Sequence, residues 1–191
     1  MVPWRKEEES MDVKVDAPVL RVAGMVQNSF VDGPGIRFVL FTQGCFHDCP
    51  GCHNKDTQDP LGGTVMSLEA VLRAYEESYA DGITLSGGEP LLQPKVLAEV
   101  AKGVQERGGD VIVYTGFLLV DVLRKRRENP FLRSLLSHTD LLIEGPYVEA
   151  RRTLQLPFRG SSNQRLVAFS PKGEALKKSI EILEASALER L

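Results

Sequence analysis

Cysteine is scarce in this chain: three residues in 191, all between positions 45 and 52. An odd set crowded into one short segment excludes a disulfide framework and points to a metal or redox site. A basic excess is also missing. Lys and Arg number 23 against 26 Asp and Glu, a formal net charge of -3, which is the wrong footprint for a nucleic-acid partner. No apolar run reaches the ~18 residues that span a bilayer. Met1 to Ser10 carries Arg5, Lys6 and three glutamates with no apolar run behind them. Neither a membrane segment nor a secretory leader is expected there, and the protein is read as cytoplasmic. Internal repeats and low-complexity stretches are absent as well.

What is present is ordinary globular material, 42% hydrophobic and 26% charged. Residues 1–18 are polar, end at Pro18 and are expected to form a loosely ordered extension. Residues 19–191 are expected to form a single domain. Arg37 to Thr42 (RFVLFT) reads as a strand between glycines. Ser67 is a good N-cap for a helix to about Tyr79, with Leu68, Val71, Leu72, Tyr75 and Tyr79 at helical spacing. Ile83 to Leu85 is a second strand. Pro94 opens a helix that Gly108-Gly109 stops. Val111 to Tyr114 is a third strand, and Leu118 to about Arg127 reads as helical. Asp140 to Glu144 and Arg165 to Phe169 are further strands. A terminal helix from Glu174 carries Leu176, Ile180, Leu183, Ala187 and Leu191 on one stripe.

Strands alternating with helices predict an α/β fold with a parallel sheet and right-handed crossovers. About five or six mainly parallel strands are too few to close an eight-stranded barrel, so an open partial (β/α) barrel is expected. In such folds the working loops follow the C-terminal strand ends. Each unusual motif sits there: the cysteines, then Gly87-Gly88-Glu89, then Tyr114-Thr115-Gly116, then Glu144-Gly145-Pro146.

The cysteine segment reads Gly44-Cys45-Phe46-His47-Asp48-Cys49-Pro50-Gly51-Cys52-His53-Asn54, a C-x3-C-x2-C spacing. One reading is a structural zinc site completed by His47 or His53. Zinc sites usually draw ligands from two separated knuckles, and no second knuckle exists in this sequence. The other reading is a 4Fe–4S cluster. Such a cluster ordinarily uses four cysteines, so three leave one iron open to a small chelating molecule. Both readings stand at this point.

The spacing resembles the signature of the radical S-adenosylmethionine (SAM) superfamily. Val31-Asp32-Gly33-Pro34-Gly35-Ile36-Arg37 and Cys49-Pro50-Gly51-Cys52-His53-Asn54 resemble the activating enzymes of glycyl radical enzymes. Gly87-Gly88-Glu89-Pro90 matches that family's second motif. Val113-Tyr114-Thr115-Gly116, Glu144-Gly145-Pro146-Tyr147 and Gly160-Ser161-Ser162-Asn163-Gln164-Arg165 are similar to the branch that activates anaerobic ribonucleoside-triphosphate reductase. The likeness runs from about Val22 to Val167.

The resemblance implies a radical SAM oxidoreductase. Cys45, Cys49 and Cys52 would ligate three irons of a 4Fe–4S cluster, and SAM would chelate the fourth. Reductive cleavage of SAM would yield a carbon radical that takes hydrogen from a glycine of the partner enzyme, while the protein binds and orients. Cofactor contacts are implied for Gly51, His53, Gly87, Gly88, Glu89, Thr115 and Gly116. For Glu89 an ordinary turn role stands equally open. Asp32, Arg37 and Asn163 are implied to lie near the substrate. The partner implied is a glycyl radical enzyme, foremost anaerobic ribonucleotide reductase, with flavodoxin or ferredoxin as electron donor. Two alternatives are an activase of the pyruvate formate-lyase type and a non-catalytic metal-stabilised interaction module. His47 is expected to stand exposed on the loop, and His138 at the surface or at a helix end. Arg124 to Arg127 are read as a solvated helix C-terminus, and Arg151-Arg152 as able to meet an acidic partner surface.

Overall fold

A computed structural model describes residues 19–188. The expected extension at 1–18 and Leu191 of the terminal stripe lie outside the described residues. The chain builds one seven-stranded sheet. Its strands are β1 (Val19–Ser29), β2 (Arg37–Thr42), β3 (Thr64–Ser67), β4 (Gly82–Gly87), β5 (Asp110–Thr115), β6 (Leu141–Glu144) and β7 (Arg165–Ala168). The spatial order is β3-β1-β2-β4-β5-β6-β7, with β3 and β7 at the open edges. The helices are α1 (Leu68–Glu76), α2 (Pro94–Glu106), α3 (Leu119–Glu128), α4 (Pro130–Ser137) and α5 (Pro171–Leu188).

The four central strands β2, β4, β5 and β6 pair in parallel. β1 is antiparallel to both β2 and β3, so β3 shares the central direction. The sheet is mainly parallel and stays open, as expected. One strand departs from the expectation of a parallel crossover. β7 pairs antiparallel with β6, because the chain between them holds only a short 3-10 turn at Glu149–Arg151 and no crossover helix.

Three further elements were not expected. β1 carries two register shifts that break its alternation. β3 has four residues, its first two exposed. α4 opens on Pro130, and Asn129 caps it by accepting from the N–H groups of Phe131 and Leu132. α1 starts as expected, with Ser67 accepting from Ala70 N, but ends at Glu76. The Ser78 hydroxyl donates to Tyr75 O at 2.6 Å just past the helix, and Tyr79 is left exposed rather than on the buried face.

Strand alternation splits the side chains between two faces. Phe38, Leu40, Ile83, Leu85, Val111, Val113 and Leu142 join Val71, Leu97, Val100, Val104 and Leu135 in the main core. Each such fully buried chain contributes roughly 1.5–3 kcal/mol of transfer free energy. On the other face Ile112, Leu141 and Ile143 pack against Ile180 of α5. Leu176 packs there too, whereas Leu183, expected on the same stripe, is exposed. The rest of that inner face opens toward the C-terminal strand ends.

Candidate functional site

The cysteine loop leaves β2 and folds back on itself. Gly44 N donates to Thr57 O at 2.8 Å, and Cys45 N donates to Gln58 O at 3.0 Å. Gln43 Nε2 reaches the carbonyls of Asp56 and Asp59. Asp48 takes a left-handed φ of 45°, which an Asp tolerates better than most residues. A turn follows, with Cys52 N donating to Cys49 O at 3.1 Å. All three cysteines are free and half-buried. Burial pushes the Cys45 and Cys49 thiols up from their ordinary pKa.

The three thiols line one cavity of about 750 Å³, within the size range of small-molecule sites. Its wall is built by the C-terminal ends of β2, β4, β5 and β6 and by the chain that links β6 to β7. Of the residues singled out in the sequence, Asp32, His53, Gly87, Gly88, Thr115 and Gly116 line it together with the cysteines. Gly51, Glu89, Arg37 and Asn163 do not.

Gly87 and Gly88 have a steric reason to lack side chains. A Cβ at Gly87, where φ is +96°, would lie 2.6 Å from Thr42 N; one at Gly88 would lie 2.4 Å from Gly44 O. The turn after β4 therefore presses directly on the root of the cysteine loop. Gly51 packs against Glu149, whose side chain would meet a Cβ there at 2.7 Å.

Glu89 is 1% exposed, and its carboxylate is fully occupied by the protein. Oε1 accepts from Leu91 N and from the Thr115 hydroxyl; Oε2 accepts from Gly116 N and His47 Nε2. It is a hub that ties the ends of β4 and β5 to the cysteine loop. His47 is correspondingly not exposed as expected. Its ring packs against Phe117 with centroids 4.5 Å apart.

Arg37 is displaced from the substrate-proximal place expected of it. It is completely buried at the start of β2, the opposite strand end from the cysteines, where it binds Ile83 O, the Thr84 hydroxyl and Asp110. Asn163 donates to Pro146 O at 2.8 Å and braces the loop after β6. Asp32 accepts from the Ser29 hydroxyl at 2.5 Å. His138 caps α4 and contacts Gln105, as its helix-end placement predicts. Arg124 to Arg127 are exposed at the end of α3.

Several cavity residues carried no expectation. Phe41, Ser86 and Tyr114 point into it by strand alternation, a signal present in the sequence. Tyr147 lies against His53 with centroids 5.4 Å apart. Arg159 reaches the wall from the long segment before β7, where it pairs with Glu184 of α5. Nothing in the local pattern marks it. Among the described residues, two buried side-chain atoms lack hydrogen-bond partners, Arg159 Nε and Asn163 Oδ1.

Residues 31–167 match the family described as "4Fe-4S single cluster domain". The chain belongs to this family. It is 35% identical over 144 residues to the "Anaerobic ribonucleoside-triphosphate reductase-activating protein" of Enterobacteria phage T4, covering 72% of this chain and 86% of that one. Its identity to the protein of the same name from Escherichia coli K12 is 34% over 149 residues, covering 70% and 89%. A "Pyruvate formate-lyase-activating enzyme" of Clostridium pasteurianum is 36% identical over 129 residues, covering 64% of this chain and 50% of that one.

The site suits a 4Fe–4S cluster family on chemical grounds. Three soft sulfur donors stand on one loop at one cavity wall, the ligand type such clusters take. Beside them lie the half-buried backbone of Gly87-Gly88 and Arg159, whose buried Nε has no partner. Of the two histidines that could complete a zinc site, His47 has its Nε2 on Glu89, and His53 packs its ring against Tyr147. Among the described residues no group of three or more His, Cys, Asp or Glu is arranged to hold a single metal ion.

Proposed function

We propose that this protein is a radical SAM activase that installs a glycyl radical on a partner enzyme, foremost an anaerobic ribonucleoside-triphosphate reductase. The observation that carries the reading is the gathering of three free, half-buried thiols around one cavity, with no cysteine elsewhere in the chain to complete the cluster. When bound, the cluster supplies the electron that splits the sulfonium of SAM, and the fragment released takes a hydrogen atom from a partner glycine.

The chain's own residues do the holding. Cys45, Cys49 and Cys52 would ligate the cluster. The backbone of Gly87 and Gly88, brought against the cysteine loop, would offer polar groups to the SAM amine. Thr115 and Gly116, at the end of β5, would border the methionyl part. His53 and Tyr147 would shield the adenine side, and Gly51 would let the third thiolate turn inward. Asp32 would border the partner's glycine. Asn163 would act at one remove, by bracing the loop after β6.

The Gly160-Ser161-Ser162-Asn163-Gln164 loop, similar to the branch that activates the reductase, favours the reductase-activating reading. We read residues 19–191 as one domain, since every strand of 19–188 lies in a single sheet. No helix among the described residues is long and apolar enough to cross a membrane; we place the protein in the cytoplasm, with flavodoxin or ferredoxin as donor by resemblance to the activating enzymes. The test is to mix the reduced, cluster-loaded protein and SAM with either candidate partner and record electron paramagnetic resonance. A glycyl radical on the reductase supports the reading. A radical on pyruvate formate-lyase alone, or on neither, overturns it.

A further inference from the structure

We propose that His47 is a positioning residue that locks the first cysteine of the cluster loop to the turn after β4, and so fixes the thiols relative to Gly87-Gly88. The inference rests on the cluster-and-SAM reading above. Glu89 grips the loop on both sides of Cys45. Its backbone N–H donates to Gly44 O at 2.8 Å, on one side. Its Oε2 accepts from His47 Nε2 at 2.9 Å, on the other. Cys45 is therefore strung between two anchors that belong to one buried residue.

The carboxylate has about four acceptor positions, and four donors reach it. Leu91 N at 3.0 Å and the Thr115 hydroxyl at 2.9 Å take Oε1; Gly116 N and His47, both at 2.9 Å, take Oε2. In the tautomer with its hydrogen on Nε2, the imidazole is the fourth donor. Three donors come from the turn after β4 and the end of β5. His47 is the one that comes from the cysteine loop, so it transmits the position of the rigid strand ends to the thiols. The ring has little freedom to drift. Phe117 packs at its edge, and a Cβ at Gly116 would lie 2.6 Å from its Cδ2.

The test compares the full wild-type chain with His47→Leu and His47→Gln after anaerobic reconstitution. Leu keeps the bulk without the donor. Gln places an amide donor near the position of Nε2. The readouts are iron per chain, affinity for SAM, and the resonance spectrum of the reduced cluster with and without SAM. His47→Leu is expected to bind SAM roughly tenfold more weakly, with a broadened SAM-bound spectrum. His47→Gln is expected to restore both. Iron lost in the Leu variant and recovered in the Gln variant supports the same role. Wild-type affinity and spectrum in His47→Leu overturn it, as does a defect that Gln fails to repair. Iron lost in both variants would make His47 a ligand instead. A wild-type protein that loads iron and whose spectrum ignores SAM would sink the underlying reading, and this one with it.

Discussion

Arg37 of β2 reaches over the intervening β4 to meet Asp110 of β5 at 2.5 Å. On the way its guanidinium binds Ile83 O at 2.7 Å and the Thr84 hydroxyl at 3.2 Å. Gly82 makes the crossing possible, because a Cβ there would lie 2.8 Å from the Arg37 guanidinium and 2.4 Å from Asp110 O. The three strands that deliver the first cysteine, the Gly87-Gly88 turn and Thr115 are thus stapled together at their other ends.

This makes Arg37 a stability residue. Arg37→Ala should cost about 3–5 kcal/mol, the usual range when one partner of a buried pair is removed and the other is stranded. Denaturant unfolding reads the loss directly. The folded fraction should still bind iron and SAM, whereas a substrate-contacting arginine would lose activity without losing stability.

Asp110 sets a pH dependence. Burial pushes its carboxyl above the ordinary 3.8, against the opposing pull of Arg37. A carboxyl with a raised folded pKa favours the folded state most below its unfolded pKa, and that favour is lost as pH rises through the folded value. Wild type should therefore gain stability relative to Asp110→Asn as pH falls from neutral toward about 4. Melting temperatures of the pair across that window check the sign. An unchanged difference would mean that burial does not govern this group.

Gly88→Ala should strike the site and spare the fold. The added methyl would press on Gly44 O and, at 3.0 Å, on Thr57 O, both backbone atoms at the root of the cysteine loop. Overpacking of this kind costs roughly 1–3 kcal/mol. We expect SAM binding to weaken by about tenfold or more, since 1.4 kcal/mol is a factor of ten, with far-ultraviolet circular dichroism unchanged. Isothermal titration of the reconstituted variant with SAM measures it.

Much of this arrangement was legible in the sequence. RFVLFT, the Ile83–Leu85 run and DLLIE are short apolar segments bounded by turn residues, and each became a central strand. Their spacing alone placed the cysteines, Gly87-Gly88 and Thr115-Gly116 on one rim. The limits were physical. β1 hid because its register shifts erase alternation. β7 ran the other way because no crossover helix precedes it. Arg37 misled because a charged residue beside a motif looks functional until its partners are seen, and Asp110 lies 73 positions away; Glu89, left open between a cofactor contact and a turn role, has partners up to 42 positions away. His47 stood in a loop with no periodicity, so nothing local marked its partner.

The central claim is that three thiols hold a cluster with one corner open to SAM. The direct measurement is the 5′-deoxyadenosine formed when anaerobically reconstituted, chemically reduced protein is given SAM, alongside Cys45→Ala, Cys49→Ala and Cys52→Ala. Product is expected from the wild type and none above background from any of the three variants. Product that survives the loss of a cysteine, or a fully iron-loaded wild type that leaves SAM intact, would contradict it.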